Sequence, residues 1–213
     1  MAPLIFILGG ARSGKSDYAL ELACQLAGDD PILFIATAQA GDDEMAEHIT
    51  RHRTERPAHW QTLEAPLDVG RLWREHQLSN APHPAARVAV LDCLTLLIAN
   101  LLFAEGSDPE NEAESAIQQR VDNELDNLLA AQTSLNRTLI LVSNEVGLGI
   151  VPAGRISRVY RDVLGRANRR LAGTADHAYF LLAGIPLDLK SWQASPIVSL
   201  AKDRTVRGVY VAP

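Results

Sequence analysis

Residues 9–16 constrain this chain more than any other segment. They read G-G-A-R-S-G-K-S, which fills every position of the phosphate-binding pattern G-x-x-x-x-G-K-[S/T]. The apolar run Leu4–Leu8 precedes them and a helical pattern follows. This strand–loop–helix order turns backbone N–H groups and a helix N-terminus toward an anion. We therefore expect a P-loop for a nucleoside triphosphate, in which Lys15 reaches the β- and γ-phosphates and Ser16 binds Mg²⁺. The predicted phosphate contacts are Gly9, Gly10, Ala11, Arg12, Ser13, Gly14, Lys15 and Ser16.

Composition narrows the class of protein. The chain has 213 residues, of which 47% are hydrophobic, enough for the core of one α/β domain. Its net charge of −6 argues against nucleic acid as the main partner. No apolar run is long enough to span a membrane, and the apolar start lacks the basic region of a signal peptide. Cys24 and Cys93 lie in apolar surroundings, which predicts buried free thiols and a cytoplasmic protein.

Apolar runs alternate with helical patterns along the chain. This alternation predicts an α/β fold with a mostly parallel sheet flanked by helices on both faces, as in P-loop NTPases of the RecA-like type. We expect one domain over residues 1–190 and an extension over residues 191–213, in which 205–211 favours a short edge strand. The predicted strands are 4–8, 32–36, 59–63, 88–91, 139–143 and 178–182. The predicted helices are 16–26, 43–53, 67–76, 94–103, 112–131 and 156–172.

Asp92 follows the apolar run Arg87–Leu91. An acid at the carboxyl end of a strand next to the P-loop strand can bind Mg²⁺ directly or through water. Ser16 and Asp92 are therefore the predicted metal ligands. The alternative is that Asp92 only caps the helix that begins near Leu94.

His48 and His52 lie four residues apart, on one face of a predicted helix. Such a pair could contribute to a zinc site, but no third ligand is evident nearby. Both could instead be solvated. A third interpretation is chemical: His52 lies among Arg51, Arg53 and Arg56, which attract phosphate, and a neutral imidazole nitrogen can attack phosphorus.

Two later segments carry further signals. Asn144–Pro152 reads N-E-V-G-L-G-I-V-P and follows a predicted strand, where ligands bind in open α/β sheets, although an ordinary connection explains it equally well. The next helix is rich in arginine, which suggests an anionic ligand or an acidic subunit contact, with a solvated face as the alternative. Its arginines are Arg155, Arg158, Arg161, Arg166, Arg169 and Arg170.

Taken together, these segments resemble one family. The resemblance rests on the P-loop, on I-A-T-A at 35–38, D-D-E-M at 42–45, R-P-A-H-W at 56–60 and the string from Asn144 to Pro152. In this order they resemble the bifunctional adenosylcobinamide kinase / adenosylcobinamide-phosphate guanylyltransferase of cobalamin biosynthesis. The resemblance runs from Ile5 to about Lys190.

The resemblance implies a specific chemistry. Members phosphorylate the aminopropanol hydroxyl of adenosylcobinamide with ATP or GTP. They then transfer GMP from GTP onto that phosphate through a guanylylated histidine, which corresponds to His52. Members form homotrimers with active sites between subunits. Many carry Glu where this chain has Asp92. Besides the P-loop, the implied nucleotide contacts are Ala36, Thr37, Ala38, Arg53, Thr54, Glu55, Arg56, Glu64 and Asp92.

Two other functions remain as alternatives. A P-loop small-molecule kinase without the transferase step would need Lys15, Ser16 and Asp92 but would be indifferent to His52. A regulatory GTPase is disfavoured because the chain lacks the guanine-reading string N-K-x-D. His48 is interpreted as a bystander. The corrinoid contacts, the choice between ATP and GTP in the kinase step and the role of the extension are not evident from the sequence.

Overall fold

The computed structural model describes residues 1–39, 60–79 and 85–192. The strands are β1 (Leu4–Gly9), β2 (Ile32–Ala36), β3 (Gln61–Glu64), β4 (Val88–Asp92), β5 (Thr138–Asn144), β6 (His177–Leu182) and β7 (Ile185–Asp188). The helices are α1 (Lys15–Ala27), α2 (Val69–Ser79), α3 (Leu94–Leu102), α4 (Glu114–Leu135) and α5 (Arg155–Thr174). The predicted helix 43–53 and the predicted edge strand 205–211 lie outside the described residues.

The strands form one seven-stranded sheet in the order β3-β2-β4-β5-β1-β6-β7. All neighbouring pairs are parallel except β6 and β7. The predicted mostly parallel α/β sheet of a RecA-like P-loop NTPase is therefore confirmed. The prediction that the strand of Asp92 lies next to the P-loop strand was wrong, because β5 lies between β4 and β1.

Side chains alternate between the two faces of the sheet, as the strand period requires. One face carries Ile5, Ile7, Val88 and their neighbours and packs against α1. The opposite face, which includes Phe6 and Leu91, packs against α2, α3, α4 and α5. Helices thus cover both faces, as the near-continuous apolar strands predicted.

Helix α1 packs on the sheet through a stripe of small residues, Ala19, Ala23 and Ala27, all of which are buried. Cys24 immediately follows one of them along the chain and is therefore rotated toward solvent. Both cysteines are free thiols, as predicted, but Cys24 is exposed and only Cys93 is buried. The prediction of burial for Cys24 was wrong because an apolar flank does not fix which side of a helix a residue occupies.

Strand β7 was not predicted from the sequence. Pro186 interrupts the apolar pattern there, yet it is tolerated because β7 is the last strand at its edge of the sheet. The turn into β7 places Ala183 at φ 51° and Gly184 at φ 82°. Such paired positive φ values are typical of a tight hairpin, and they let the chain reverse directly after β6. Within the described ranges, none of the helices has the length and apolarity needed to cross a bilayer.

Candidate phosphate-binding and transfer site

Four strand ends bring the predicted phosphate chemistry to one edge of the sheet. Parallel register aligns Gly9 of β1 with Asn144 of β5, Ala36 of β2 with Asp92 of β4, and the same Ala36 with Glu64 of β3. Because these are carboxyl ends, the P-loop and both acids lie where ligands bind in open α/β sheets. The structure therefore brings Glu64 and Asp92 to the edge that carries the P-loop.

The P-loop is a tight turn held by its own backbone. The Ser13 N–H donates to the Gly10 carbonyl at 3.3 Å, and Gly14 adopts φ 85°, a left-handed conformation that glycine accepts without strain. The Lys15 ammonium donates to the Gly10 carbonyl at 3.1 Å, so it lies across the mouth of the loop. An ammonium held this way is available to a phosphate, since Lys carries three donors.

Neighbouring segments hold the loop from both sides. The Glu145 N–H, just after β5, donates to the Gly9 carbonyl at 3.0 Å. The Gly184 N–H, at the tip of the β6–β7 hairpin, donates to the Ser13 carbonyl at 3.0 Å. The P-loop is thus fixed by two segments that come more than a hundred residues later in the chain.

Gly9 is required for close packing. A Cβ there would lie 2.5 Å from Ser13 Oγ and 2.9 Å from the Leu181 carbonyl oxygen. Gly10 has open space at the same point. The first glycine of the motif therefore permits a close approach of backbone segments, whereas the second leaves room on the ligand side.

Asp92 ends β4 on the same face as Val88 and Val90, which is the face of α1. Helix α3 begins with Cys93 at the N-cap position, one residue beyond Asp92. The capping alternative for Asp92 is therefore not the observed arrangement. Burial and the neighbouring Asp92 carboxylate raise the pKa of the Cys93 thiol to about 11, while the charge of Lys15 acts in the opposite direction.

Thr37 ties the ends of β2 and β4 together. Its hydroxyl donates to the Cys93 carbonyl at 2.7 Å and accepts from the Cys93 N–H at 2.9 Å, and the residue is fully buried. Asn100 donates to the Thr37 and Pro66 carbonyls at 2.8 and 3.0 Å. Sequence reasoning missed Asn100, whose signal was a single amide within the apolar helix L-T-L-L-I-A-N-L-L. The implied nucleotide contacts over residues 36–38, which are Ala36, Thr37 and Ala38, stay predictions.

The end of β5 is anchored by side chains that sequence reasoning also missed. Thr95 Oγ1 accepts from the Asn144 N–H at 2.9 Å, and Asn168 Nδ2 donates to the Asn144 carbonyl at 3.0 Å. The Ser143 hydroxyl donates to Asn168 Oδ1 at 2.7 Å. Tyr160 donates to the Thr95 carbonyl at 3.1 Å, and burial raises the pKa of its phenol. The loop after β5 therefore starts from a rigid point.

The arginines of α5 mostly contact the rest of their own chain. Arg166 and Arg170 both reach across to α4, and Arg155 donates to two backbone carbonyls in the segment before α4. The partners on α4 are Glu114 and Gln118 for Arg166, and Asp122 and Asp126 for Arg170. Neither an anionic ligand nor a solvated face is needed to explain these arginines, because α4 supplies the acids.

Arg169 differs from these arginines. Among the described residues it makes no ion pair, and it lines an open groove of about 500 Å³ with Arg161, Arg166 and the glycines Gly147 and Gly149. The loop beside it exposes two large apolar side chains, Leu148 and Ile150. This groove is what remains of the predicted anionic surface.

The remaining predicted site residues lie outside the described residues. They are His48, His52, Arg53, Thr54, Glu55 and Arg56. Their predicted roles, and the zinc alternative for the two histidines, stay predictions. Within the described ranges, no group of three or more His, Cys, Asp and Glu side chains is arranged to hold a metal ion.

Ser16 and Asp92 suit Mg²⁺ by the chemistry of their donors. Ser16 is in the first turn of α1, directly after Lys15, and Asp92 ends β4 at the same sheet edge. A hydroxyl and a carboxylate supply the hard oxygen ligands that Mg²⁺ prefers, and phosphate oxygens and water complete its shell in nucleotide sites. These two residues fit a nucleotide-bound Mg²⁺.

Known proteins agree with this arrangement. The sequence is 42% identical over 191 residues to the bifunctional adenosylcobalamin biosynthesis protein CobU of Salmonella typhimurium strain LT2, covering 88% of this chain and 99% of that protein. It is 44% identical over 186 residues to the corresponding protein CobP of Pseudomonas aeruginosa strain PAO1, covering 86% and 95%. Among solved structures, a phage-type ATPase domain is not needed for this assignment, since one ATPase domain aligns with a TM-score of only 0.47 and 14% identity, covering 84% of this chain and 68% of that one.

A family profile extends the same match along the chain. The profile described as cobinamide kinase / cobinamide phosphate guanyltransferase covers residues 5–189, from the second residue of β1 to the end of β7. With the complete P-loop and both acids at one sheet edge, the chain belongs to the cobinamide kinase / cobinamide phosphate guanyltransferase family.

Proposed function

We propose that this protein phosphorylates the aminopropanol hydroxyl of adenosylcobinamide and then transfers GMP from GTP onto that phosphate. The products are adenosylcobinamide-GDP and pyrophosphate. The observation that carries the proposal is the meeting of a complete P-loop with Asp92 and Glu64 at one sheet edge, in a chain of this family. ATP and GTP are the nucleotide substrates.

In the kinase step the P-loop binds the phosphates and Lys15 offsets their charge. The backbone N–H groups of residues 10–16 and the N-terminus of α1 face the anion. Lys15, now on the Gly10 carbonyl, is within the loop that would hold the β- and γ-phosphates. Preorganised charges of this kind stabilise the transferring phosphoryl group more than the bound nucleotide.

Ser16 and Asp92 would hold Mg²⁺. When bound, the ion neutralises charge that develops between the β- and γ-phosphates. Asp is one methylene shorter than the Glu found in many relatives, so the contact from Asp92 is expected to run through water. Glu64, at the end of the next strand along the edge, is proposed as a nucleotide contact rather than a metal ligand.

In the transferase step we assign the nucleophile to His52. An imidazole nitrogen attacks the α-phosphorus of GTP, an N–P bond forms, and the bond to the α–β bridging oxygen breaks to release pyrophosphate. A phosphate oxygen of the corrinoid then attacks the same phosphorus and breaks the N–P bond. Arg53 and Arg56 offset charge on the transferring group, together with Thr54 and Glu55 as nucleotide contacts.

The same proposal covers assembly and location. A homotrimer with active sites between subunits and a cytoplasmic location follow from the resemblance, as does a single catalytic domain over residues 1–190. The exposed residues Leu148, Ile150 and Val151 are candidates for burial between subunits.

The test is to incubate the protein with Mg²⁺ and GTP labelled at the α-phosphate, then denature it and measure retained label. We expect acid-labile, alkali-stable label on the wild type and on His48→Ala, and none on His52→Ala. His48→Ala is the matched control because it removes the same group four residues away in the chain. Label at γ should instead appear in phosphorylated adenosylcobinamide.

The outcomes separate the two candidate functions. Absence of label on a wild-type protein that still phosphorylates adenosylcobinamide would favour the small-molecule kinase. Label on His52→Ala would reject His52 as the nucleophile. Loss of both activities with retained nucleotide binding would reject the proposed substrate.

A further inference from the structure

The end of β5 holds an amide group that the proposed function does not use. Asn144 is the last residue of β5, in register with Gly9 at the start of the P-loop. Strand β5 also pairs with β4, where Asp92 is in register with Val142. Asn144 therefore lies between the P-loop and the acid at the adjacent strand end.

Alternation along the strand gives the direction of its side chain. Ile140 and Val142 point to the face of α1, while Ser143 points to the opposite face and bonds Asn168 of α5. Asn144 continues the series of Ile140 and Val142. The ends of β1 and β4 fall on the same face by the same alternation, so all three strand ends look toward the phosphate side of the sheet.

The backbone of Asn144 is fixed by contacts already described, but its side chain is not used in them. Its Oδ1 atom is buried and has no hydrogen-bond partner among the described residues. The other well-placed amides differ: Asn100 bridges two carbonyls, and Asn168 uses both its oxygen and its nitrogen. A buried acceptor without a donor is unfavourable for folding, so a polar group kept in this state indicates a ligand.

The reactants limit what that ligand is. Ionised phosphate oxygens only accept hydrogen bonds, so a nucleotide's phosphates offer Oδ1 no donor. The attacking hydroxyl of the acceptor does offer one, and it must approach the terminal phosphate at this edge. Lys15, the other nearby donor, is directed to the Gly10 carbonyl.

We propose that Asn144 orients the attacking hydroxyl of the phosphoryl acceptor by accepting its hydrogen bond at Oδ1. The hydroxyl oxygen bonds to the γ-phosphorus, the bond to the β–γ bridging oxygen breaks, and the nucleoside diphosphate leaves with the electron pair. The hydroxyl proton passes to solvent, since an amide does not take it up. The proposal rests on the proposed kinase function and adds a residue that selects a hydroxyl-bearing acceptor.

The first variant is Asn144→Leu, which keeps the size of the side chain and removes the acceptor. We expect kcat for corrinoid phosphorylation to fall about 10²-fold, because the hydroxyl is no longer aligned. Nucleotide affinity and guanylylation of the protein by GTP alone should stay within about twofold of wild type, since neither involves the hydroxyl. The midpoint of thermal unfolding should not fall, because no protein hydrogen bond to Oδ1 is lost.

The second variant, Asn144→Asp, keeps the acceptor and adds a negative charge beside the phosphates. We expect its nucleotide affinity to fall about tenfold, which Asn144→Leu should not show. Asn123→Ala, on the exposed side of α4, is the control and should match wild type in every measurement. This pair of signatures places the amide beside both the hydroxyl and the phosphates.

The proposal is overturned if Asn144→Leu phosphorylates the corrinoid at the wild-type rate, or if its guanylylation falls in parallel with phosphorylation. It is also overturned if the unfolding midpoint drops in step with the rate, which would mark a structural role. Failure of the wild type to phosphorylate adenosylcobinamide would reject the proposed function instead.

Discussion

The carboxyl edge of the sheet and the helical layer of α4 and α5 treat polar groups in opposite ways. At the edge, Ser13 Oγ and Asn144 Oδ1 are buried without partners among the described residues. In the helical layer, Arg166 and Arg170 meet acids of α4, and buried Asn168 uses its amide fully. Charge density alone therefore does not mark a binding site. Unsatisfied groups at converging strand ends mark it better.

The largest expected effect is at Lys15. Lys15→Ala should lower both phosphorylation and guanylylation by roughly 10²–10³-fold, because one preorganised charge on the transferring group is lost. The fold should be unchanged, since the ammonium contacts only the Gly10 carbonyl among the described residues. Steady-state rates and circular dichroism check this.

Lys190→Ala is the matched control for Lys15. Its ammonium also donates to a backbone carbonyl, that of Gly173 at 3.3 Å, but it lies beyond β7, away from the P-loop. It should retain wild-type rates. If Lys15→Ala and Lys190→Ala behave alike, the P-loop does not carry the reaction.

The next effect concerns the close approach at Gly9. Gly9→Ala places a Cβ against Ser13 Oγ and the Leu181 carbonyl, so we expect a loss of about 1–3 kcal/mol in the free energy of unfolding. Nucleotide affinity should fall as well, because the loop must shift. Urea unfolding and nucleotide titration measure the two effects separately.

Gly10→Ala tests whether this is a matter of space. Nothing lies within 4 Å of a Cβ at Gly10, so its stability should stay close to wild type. Equal destabilisation by both substitutions would mean that glycine flexibility, rather than the packing against Leu181, sets the cost.

These two glycines also show what could and could not be predicted from sequence. The motif located the loop, and apolar runs located the central strands to within a residue or two, because fully buried parallel strands read as continuous apolar segments. The motif did not distinguish Gly9 from Gly10. That difference comes from β6, which approaches Gly9 only in the folded sheet.

The same limit explains the errors elsewhere. The acid at Asp92 was found from its strand, but its strand was placed one position too close to β1, since sheet order is not written in local pattern. Asn144 and Asn168 were not assigned roles, because an amide gains its partners from distant elements. The role of α4 in pairing the α5 arginines was also missed, for the acids lie some forty residues away in the chain.

In the helical layer, Glu124 provides a test that depends on pH. It is 6% exposed and accepts from the Val69 N–H at 2.7 Å. Burial, with a smaller effect of the Asp68 carboxylate, raises its pKa above the ordinary value. The folded state therefore binds this proton more tightly than the unfolded state. Its contribution to stability is present at low pH and is lost as pH rises through the raised pKa.

Glu124→Gln should reveal this contribution. Glutamine keeps an oxygen acceptor for Val69 but carries no charge at any pH. We expect a higher unfolding midpoint than wild type at pH 7, with the difference shrinking as pH falls below the ordinary carboxyl range. Glu114→Gln is a useful contrast, because Glu114 pairs with Arg166 and its loss should lower stability at pH 7. A Glu124→Gln midpoint below wild type at pH 7 would contradict the argument.

The smallest effect is expected for the surface pairs that absorb the arginines of α5. Arg170→Ala removes contacts to Asp122 and Asp126, with the Arg170 side chain 32% exposed and that of Asp126 64% exposed. Exposed pairs of this kind contribute about 0.2–1 kcal/mol, and less at high salt. Arg169→Ala, which removes no ion pair among the described residues, should leave stability unchanged. Urea unfolding at low and high salt checks both variants. If Arg169→Ala instead lowers catalysis while Arg170→Ala does not, the groove beside Gly149 belongs to the functional side of the comparison and the paired arginines to the framework.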